Sequence, residues 1–315
     1  MTDYLDEIIG QETAKKFIRT SIKKGNLYNY LFTGPKGVGK RLCSFALAKT
    51  LHCPPHSPNF ILVAPIPSKI KDKKEKIYEY TKQYLPENPL VEIEDRTSIL
   101  IEQIRDVIER LLHMPSIGSK RVVLVLDADA MTDAAANCFL KTLEEPPLDT
   151  IFILTTSRPN FLLPTIQSRC QKIPFTYLNS EQIKNIIFTG DDEFQMGSPG
   201  EILMLQQSNL VENVFDIFKR LPLNTKSAAT VAKEFENKKT IDLLYPLLLL
   251  YRLALYQKIG ILSSTQLDSA VKKKADTLSL QGLVRTVMIL NYSITTLEQN
   301  PHRLLLLFNI LTKLP

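Results

Sequence analysis

The sequence predicts a parallel α/β domain with a phosphate-binding loop, followed by two all-helical regions. Helical-period stretches alternate with short β-branched or apolar runs as far as residue 174, which is the pattern of a parallel sheet with flanking helices. A glycine-rich run follows the first of these strands, and beyond it the later sequence is helical in character. The predicted divisions are a P-loop domain over residues 1–174, a small helical lid domain over 175–208 and an all-α collar domain over 209–315.

Composition and length are those of an ordinary globular protein with two or three domains. The chain has 315 residues, of which 44% are hydrophobic and 23% charged, so a sizeable core is available. Its four cysteines form no CxxC pair and no signal-peptide-like run opens the chain, which favours a reducing cytoplasm. The net charge of +6 is spread along the chain, so charge alone does not predict a nucleic-acid partner. The apolar run 243–255 is broken by Pro246 and Arg252; it is too short to cross about 30 Å of hydrocarbon, and we expect a buried helix and no membrane contact.

The strands and helices of the first domain follow from this alternation. The predicted strands are Tyr30–Thr33, Phe60–Val63, Arg121–Asp127, Ile151–Thr156 and Gln171–Pro174. The predicted helices between them are Gln11–Lys24, Gly39–Leu51, Ser98–His113 and Thr132–Glu145. The last helix ends where it does because the two prolines that follow, Pro146 and Pro147, cannot continue a helix.

Residues 66–95 are predicted to be an insertion. Between residues 69 and 82 there are six lysines against three acidic residues, and Ile70, Ile77 and Tyr80 fall on one helical face. This pattern favours a solvated surface helix or mobile excursion over a basic contact with DNA.

The first site motif is a phosphate loop that has lost one functional group. Gly34, Gly37, Gly39 and Lys40 have the spacing of a loop whose backbone N–H groups and lysine hold phosphates. The next residue should carry a hydroxyl for magnesium, yet it is Arg41, and a guanidinium does not coordinate a cation. The loop therefore retains groups that hold ATP or ADP, but not those for hydrolysis.

The second motif is an acidic strand end that is also incomplete. Asp127 ends an apolar strand at its carboxyl edge, where open α/β sheets place ligands. The following position, where a carboxylate would polarise the attacking water, is Ala128, which accepts no proton. Asp129 would face the same way as Asp127 if the strand continued, but it stands one position too far along to be the expected base.

Taken together, these segments resemble those of AAA+ clamp-loader subunits, within them the delta-prime type of bacterial DNA polymerase III. The resemblance covers the first 175 residues in the right order. It rests on the phosphate loop and on the segments Ile8-Ile9-Gly10-Gln11-Glu12, Ile104-Arg105, Leu126-Asp127-Ala128-Asp129-Ala130-Met131, Ala135 to Pro147 and Leu163 to Cys170.

The resemblance implies roles for particular residues. The triplet Ser168-Arg169-Cys170 matches a motif of such subunits. The resemblance implies that its arginine acts in trans and contacts the terminal phosphate of ATP bound to a neighbouring subunit. A planar, permanently charged guanidinium is suited to bind phosphate oxygens. Thr156 matches the position that senses the γ-phosphate, although a strand-end hydroxyl capping the backbone is an equally good interpretation. Gly200 stands where motor subunits carry a second-sensor arginine. With Arg41 and Ala128, three positions therefore lack the catalytic residue that motor subunits of the family carry.

The expectation is therefore a non-hydrolysing stator subunit with no intrinsic ATPase, working within a DNA polymerase holoenzyme. The implied partners are gamma/tau-type motor subunits and a delta-type clamp-opening subunit in a pentameric ring, the sliding clamp indirectly, and primed DNA through its phosphates. The implied location is the bacterial cytoplasm, at the nucleoid-associated replisome. The alternative is an autonomous or motor-type (gamma/tau-like) ATPase.

No cofactor and no metal are required by this interpretation. Relatives with a zinc site need four closely spaced cysteines, whereas the corresponding loop here retains only His52, Cys53 and His56, with two prolines between them. We therefore expect no zinc. The collar helices, Thr240–Leu255 and Arg303–Leu311 among them, carry no catalytic motif and are expected to hold the ring together.

Overall fold

The protein is described by a computed structural model. It describes residues 3–25, 27–67, 74–88, 97–113, 120–184, 186, 198–200, 210–236, 240–260, 269–297 and 302–315. The chain forms two compact units, the first comprising 1–188 and 195–202 and the second comprising 189–194 and 203–315. The predicted lid, 175–208, falls mostly outside the described residues.

The first unit is built on a five-stranded parallel sheet of order β2-β5-β6-β1-β7. A separate two-stranded antiparallel sheet joins β3 to β4. The strands are β1 Tyr30–Thr33, β2 Phe60–Val63, β3 Ile66–Pro67, β4 Thr97–Ser98, β5 Arg121–Val125, β6 Thr150–Thr156 and β7 Gln171–Pro174. The prediction of a parallel sheet with these five principal strands is confirmed.

Helices cover both faces of this sheet. They are α1 Glu12–Lys23, α2 Lys40–Thr50, α3 Lys74–Lys82, α4 Ile101–Leu111, α5 Asp133–Glu144, α6 Pro164–Ser168 and α7 Ser180–Lys184, with 3-10 turns at Tyr4–Glu7, Ala128–Ala130 and Pro159–Phe161. Helix α5 begins where the Thr132 hydroxyl accepts a hydrogen bond from the backbone N–H of Ala135 at 3.2 Å, a typical N-cap. It ends one residue earlier than predicted, before the two prolines.

Two apolar clusters lie on opposite faces of the sheet and fix it in place. One packs α1 and α2 against alternate residues of the strands, with Tyr30 and Phe32 at its centre. The other packs α4, α5 and α6 against the remaining positions, with Phe139 against Phe152 at a ring-centroid distance of 5.3 Å. Since the strands are covered on both sides, their residues are buried almost without interruption, as in other parallel sheets.

Several predicted boundaries differ from the structure by one to three residues, and two of these differences have a local cause. The strand predicted to reach Asp127 ends at Val125, because Asp127 takes a left-handed backbone with φ of 46°. The helix predicted from Ser98 begins at Ile101, because Ser98 is paired with Ile66 in the small sheet. The side chain of Gln103 accepts a hydrogen bond from the backbone N–H of Leu100 at 2.9 Å and so marks the true start of α4.

The insertion is a packed element in the part that the structure describes. Ile77 and Tyr80 of α3 are half-buried and Thr81 and Tyr84 are buried, at the spacing of one helical face. Ile70, the third residue of the predicted face, lies outside the described residues. The predicted surface helix is therefore present within residues 74–88, with one face packed and the other exposed.

The second unit is helical in its described part. Its helices are α8 Leu210–Arg220, α9 Thr225–Glu236, α10 Ile241–Lys258, α11 Ser269–Thr277, α12 Leu280–Thr296 and α13 Arg303–Leu311. Helix α10 carries the apolar run noted above and is buried on nearly every side, so it forms the centre of the unit's core. Within the described residues, we find no helix that combines the length and apolar character needed to cross a membrane. The α13 boundaries match the prediction, while the α10 helix extends to Lys258 instead of Leu255.

Candidate functional site

The phosphate loop leaves the carboxyl end of β1 and requires glycine at its first position. Gly34 has φ of 145°, and a Cβ there would lie 2.2 Å from the backbone oxygen of Phe175. Its N–H donates to the backbone oxygen of Thr156 at 3.3 Å. Gly39, with φ of 96°, then turns the chain into α2. The glycine pattern read from the sequence thus reflects close backbone approach and left-handed geometry.

The lysine of this loop binds the loop itself. Lys40 is 7% exposed, and its Nζ atom donates to the backbone oxygens of Gly34 at 2.6 Å and Pro35 at 2.5 Å. These carbonyls satisfy two of the three ammonium donors. The ammonium group therefore points at the chain's own backbone, where it ties the two ends of the loop together.

A short segment from further along the chain packs directly on the loop. The buried Ser198 hydroxyl donates to the backbone oxygen of Lys36 at 2.8 Å, and the N–H of Gly200 donates to the backbone oxygen of Gly37 at 3.1 Å. A Cβ on Gly200 would lie 2.8 Å from the Cα of Gly37. Gly200 is therefore more than a missing second-sensor arginine, because the backbone contact leaves no room for a side chain.

Gln11 fixes the other side of the loop. This residue is 8% exposed, and its side-chain amide donates to the backbone oxygens of Val38 at 3.2 Å and Thr176 at 2.7 Å. Its oxygen accepts from the N–H of Thr176 at 3.1 Å. The sequence placed Gln11 in a resembling segment but gave it no role, because its partners are distant along the chain.

The carboxylate of Asp129 is neutralised by an arginine of the same chain, Arg158. The carboxylate of Asp129 accepts hydrogen bonds from the Thr156 hydroxyl at 2.6 Å and from Arg158 Nε at 2.7 Å, and its side chain is 2% exposed. The strand does not continue to Asp129, because Ala128–Ala130 forms a 3-10 turn. Asp129 is a buried ion-pair partner, and Thr156 is a member of the same network.

Asp127 lies at this edge with its backbone N–H bonded to the Thr155 hydroxyl at 3.0 Å. Burial, and then the negative charge of Asp129, raise the pKa of Asp127 above its ordinary value. The nearby Lys36, Lys40 and Arg158 oppose this rise without cancelling it.

Arg41 is surrounded by residues of the insertion that the sequence did not implicate. Its Nη2 atom donates to the backbone oxygen of Asn88 at 2.8 Å. Burial lowers the pKa of Arg41, while the negative charge of Asp127 and the hydroxyl of Tyr84 oppose that change. Tyr84 is 6% exposed, and its hydroxyl donates to the backbone oxygen of Pro65 at 2.8 Å. The position that would carry a magnesium-binding hydroxyl is thus packed with a cation and its neighbours.

Two positions of this site do not supply the groups that magnesium-assisted cleavage of ATP uses. The predicted Gly34, Gly37, Gly39, Lys40, Asp127 and Thr156 are brought to one edge of the sheet, as expected of a P-loop protein. However, Lys40 is bonded to loop carbonyls, and residues 198–200 pack on the loop. Neither a hydroxyl at position 41 nor a carboxylate at position 128 is available for the metal and water.

Ser168 and Arg169 lie at the amino ends of the parallel strands, opposite the carboxyl ends where the phosphate loop lies. Strands β1 and β7 run parallel, with Tyr30 beside Gln171 and Thr33 beside Pro174. The phosphate loop follows the last residue of β1, whereas Arg169 precedes the first residue of β7. Four residues of strand place the two about 10 Å apart or more along the strand direction. Arg169 is therefore positioned away from its own chain's loop.

The surroundings of Arg169 hold its guanidinium at the rim of a cleft of about 690 Å³. Its Nη1 donates to the backbone oxygen of Thr165 at 2.9 Å, and its Nη2 lies 3.1 Å from a carboxylate oxygen of Glu144. The Ser168 hydroxyl also donates to Thr165, at 3.0 Å. Cys170 is packed in the core behind the arginine, and burial raises the pKa of its thiol to about 12. The cysteine therefore anchors the triplet and is not a nucleophile.

The residues considered for zinc have other contacts. The Cys53 thiol donates to the backbone oxygen of Lys120 at 2.8 Å, and His56 Nε2 lies 3.2 Å from a carboxylate oxygen of Glu87. In the described residues there is no cluster of three or more metal-ligating side chains.

The strand order, the loop after β1 and the aspartate after β5 define a P-loop protein of the AAA+ class. A family model described as "DNA polymerase III, delta subunit" matches residues 10–179, which is more than half of the chain. The chain belongs to this family.

The chain is similar in sequence to subunits of DNA polymerase III. The delta' subunit of DNA polymerase III from Bacillus subtilis is 34% identical over 182 residues, 58% of this chain and 52% of that protein. The tau subunit from Bacillus subtilis is 30% identical over 179 residues, 56% of this chain and 30% of that protein. The matches thus span about half or less of these relatives. A gamma subunit-related protein of Thermotoga maritima is similar in structure, with a TM-score of 0.46, 20% identity and coverage of 96% of this chain and 97% of that chain.

The contact between Gly200 and the loop gives a first prediction. Gly200→Ala introduces a Cβ at 2.8 Å from the Gly37 Cα, so the backbone must separate, at a cost of about 1–3 kcal/mol. We expect amide hydrogen exchange in the 34–40 loop to accelerate by about tenfold or more. Gly282→Ala, in the first turn of helix α12, is the control, because a Cβ there meets the Ser279 hydroxyl at 3.2 Å and does not meet the loop. Unchanged loop exchange in Gly200→Ala would mean that the contact is not tight.

The raised pKa of Asp127 gives a second prediction. Because the folded protein holds this proton more strongly than the unfolded chain, stability falls as pH rises from about 4 through the folded-state pKa. Asp127→Asn removes that loss. The variant should therefore be more stable than the wild type at neutral pH, with the difference vanishing below about pH 4, as measured by urea denaturation. Asp149→Asn, at an exposed left-handed position, is the control; a destabilised Asp127→Asn at neutral pH would contradict the account.

Proposed function

We propose that this chain is a delta-prime-type stator subunit of a bacterial clamp loader, which does not hydrolyse ATP and supplies Arg169 in trans to a neighbouring ATPase subunit. The observation that carries the proposal is the separation of two elements on one sheet. Arg169 stands at the amino edge, while the loop of the same chain stands at the carboxyl edge. An arginine so placed serves a phosphate on another subunit or none.

The state of the loop supports the absence of hydrolysis. Each group that a P-loop uses for metal-assisted cleavage is either replaced or bonded within the chain. Arg41 and Ala128 replace the hydroxyl and the carboxylate, and the ammonium of Lys40 takes two loop carbonyls. Together with the segment 198–200, these contacts favour a loop that is stable without nucleotide, so ATP and ADP are not needed as cofactors.

The relatives indicate the setting in which this arginine acts. Those reported above are named as tau and delta' subunits of DNA polymerase III. We infer partnership with gamma/tau-type motors and a delta-type subunit in a pentameric ring, located in the bacterial cytoplasm. Through that ring the chain acts on the sliding clamp, and it meets primed DNA through salt-sensitive phosphate contacts.

The alternative is a gamma/tau-like motor, which the 30% identity to the tau subunit favours. A motor needs a magnesium ligand after the P-loop lysine and a base after Asp127, and in this chain Arg41 and Ala128 occupy those positions. Asp129 does not substitute for the base, because it is paired with Arg158. The stator proposal therefore explains more of the site.

The test of this proposal is the turnover of the assembled loader. Arg169→Ala should reduce hydrolysis at the one site that the chain serves by about 10³-fold or more, so steady-state phosphate release falls by at least that site's share. Lys172→Ala is the matched control, because Lys172 is an exposed cation on the same edge, bonded to Gln167 Oε1 at 2.8 Å. An effect of total charge at this edge would lower the rate equally in both variants.

Two results would decide against the proposed role. Unreduced turnover in a fully assembled loader that carries Arg169→Ala would show that the arginine serves no neighbour. Equal losses in Arg169→Ala and Lys172→Ala would show that the edge contributes only general electrostatic attraction.

A further inference from the structure

The carboxylate of Glu144 faces the guanidinium of Arg169 across the cleft at the amino edge. The two side chains are 58% and 28% exposed, and their closest atoms are 3.1 Å apart. The arginine Nη1 is bonded to the Thr165 backbone oxygen, and its Nε atom is buried without a hydrogen-bond partner among the described residues. The guanidinium is thus held at its two outer nitrogens, one by a backbone carbonyl and the other by Glu144.

Both elements that carry this pair are fixed by the same apolar cluster. Glu144 is the last residue of α5, directly after the buried Leu143, while Arg169 follows α6 and precedes the buried Cys170. Leu143, Ile166 and Cys170 belong to one cluster under the sheet. Core packing, and not a mobile loop, therefore sets the distance between the carboxylate and the guanidinium.

We infer that Glu144 is a positioning residue for Arg169, which orients the guanidinium at the rim for a phosphate of a neighbouring subunit. The inference rests on the proposed function. The Glu144 carboxylate forms an ion pair with Nη2, and the Thr165 carbonyl accepts a hydrogen bond from Nη1, which uses one of the two N–H groups of that nitrogen. Fixing a long side chain in advance lowers the entropy that binding must overcome.

The size of the effect follows from the exposure of the pair. Half-exposed ion pairs contribute little to stability, so Glu144→Gln should leave the fold intact. Losing this orientation costs a free energy similar to that of a half-exposed ion pair, which lowers the rate of hydrolysis at the served site by about two- to fivefold. We therefore expect the variant to lose about half to four-fifths of the turnover that depends on Arg169.

A double-mutant cycle in the assembled loader tests this inference. Phosphate release is measured for the wild type, Glu144→Gln, Arg169→Ala and the double variant, each in loaders of full stoichiometry. If Glu144 acts through Arg169, Glu144→Gln lowers turnover alone but changes nothing in the Arg169→Ala background. Glu145→Gln is the control, because Glu145 is an exposed neighbour of the same charge outside the pair.

The outcomes separate this inference from the proposed function. If Arg169→Ala has no effect, the proposed function fails. If Arg169→Ala lowers turnover but Glu144→Gln has no effect, raises the rate, or has an equal effect in both backgrounds, only the positioning role is overturned. Failure of Glu144→Gln to assemble also overturns it, because Glu144 would then act in the subunit contact itself.

Discussion

The conformation of the phosphate loop depends on one constraint, its direct contact with the segment 198–200. The backbones of Gly37 and Gly200 approach so closely that neither an alanine nor an arginine fits at position 200. The Lys40 ammonium is bonded to the loop's own carbonyls, so its donors have partners within the chain. The phosphate loop is in this way part of the packed structure of the first unit.

The parallel sheet separates the phosphate loop, at the carboxyl ends of the strands, from Arg169, at their amino ends. Because all five strands run in one direction, the segments that follow strands and the segments that precede them lie on opposite sides. Substitutions at the loop therefore need not disturb Arg169, since its position depends on Cys170, Thr165 and Glu144. One P-loop domain can thus lose its own chemistry and keep a group that completes a neighbour's site.

The sequence predicted those features that depend on local pattern. Alternating apolar runs located the strands, glycine spacing located the loop, and the residue types at positions 41 and 128 indicated the loss of hydrolysis. Contacts between residues distant along the chain could not be predicted in this way. Examples are the hydrogen bonds from Gln11 to Thr176 and from Arg41 to Asn88 of the insertion. The end of β5 shows the same limit. The apolar pattern predicted a strand as far as Asp127, whereas the strand ends at Val125, before the left-handed Asp127.

The most direct test of a loop closed by its own chain is equilibrium binding of ATP to the isolated protein with magnesium, combined with steady-state phosphate release. The account predicts no saturable binding and no release above the protein-free rate, for the wild type and for Lys40→Ala alike. Magnesium-dependent turnover by the isolated chain that Lys40→Ala abolishes would contradict it, because the lysine would then be serving a phosphate instead of the loop.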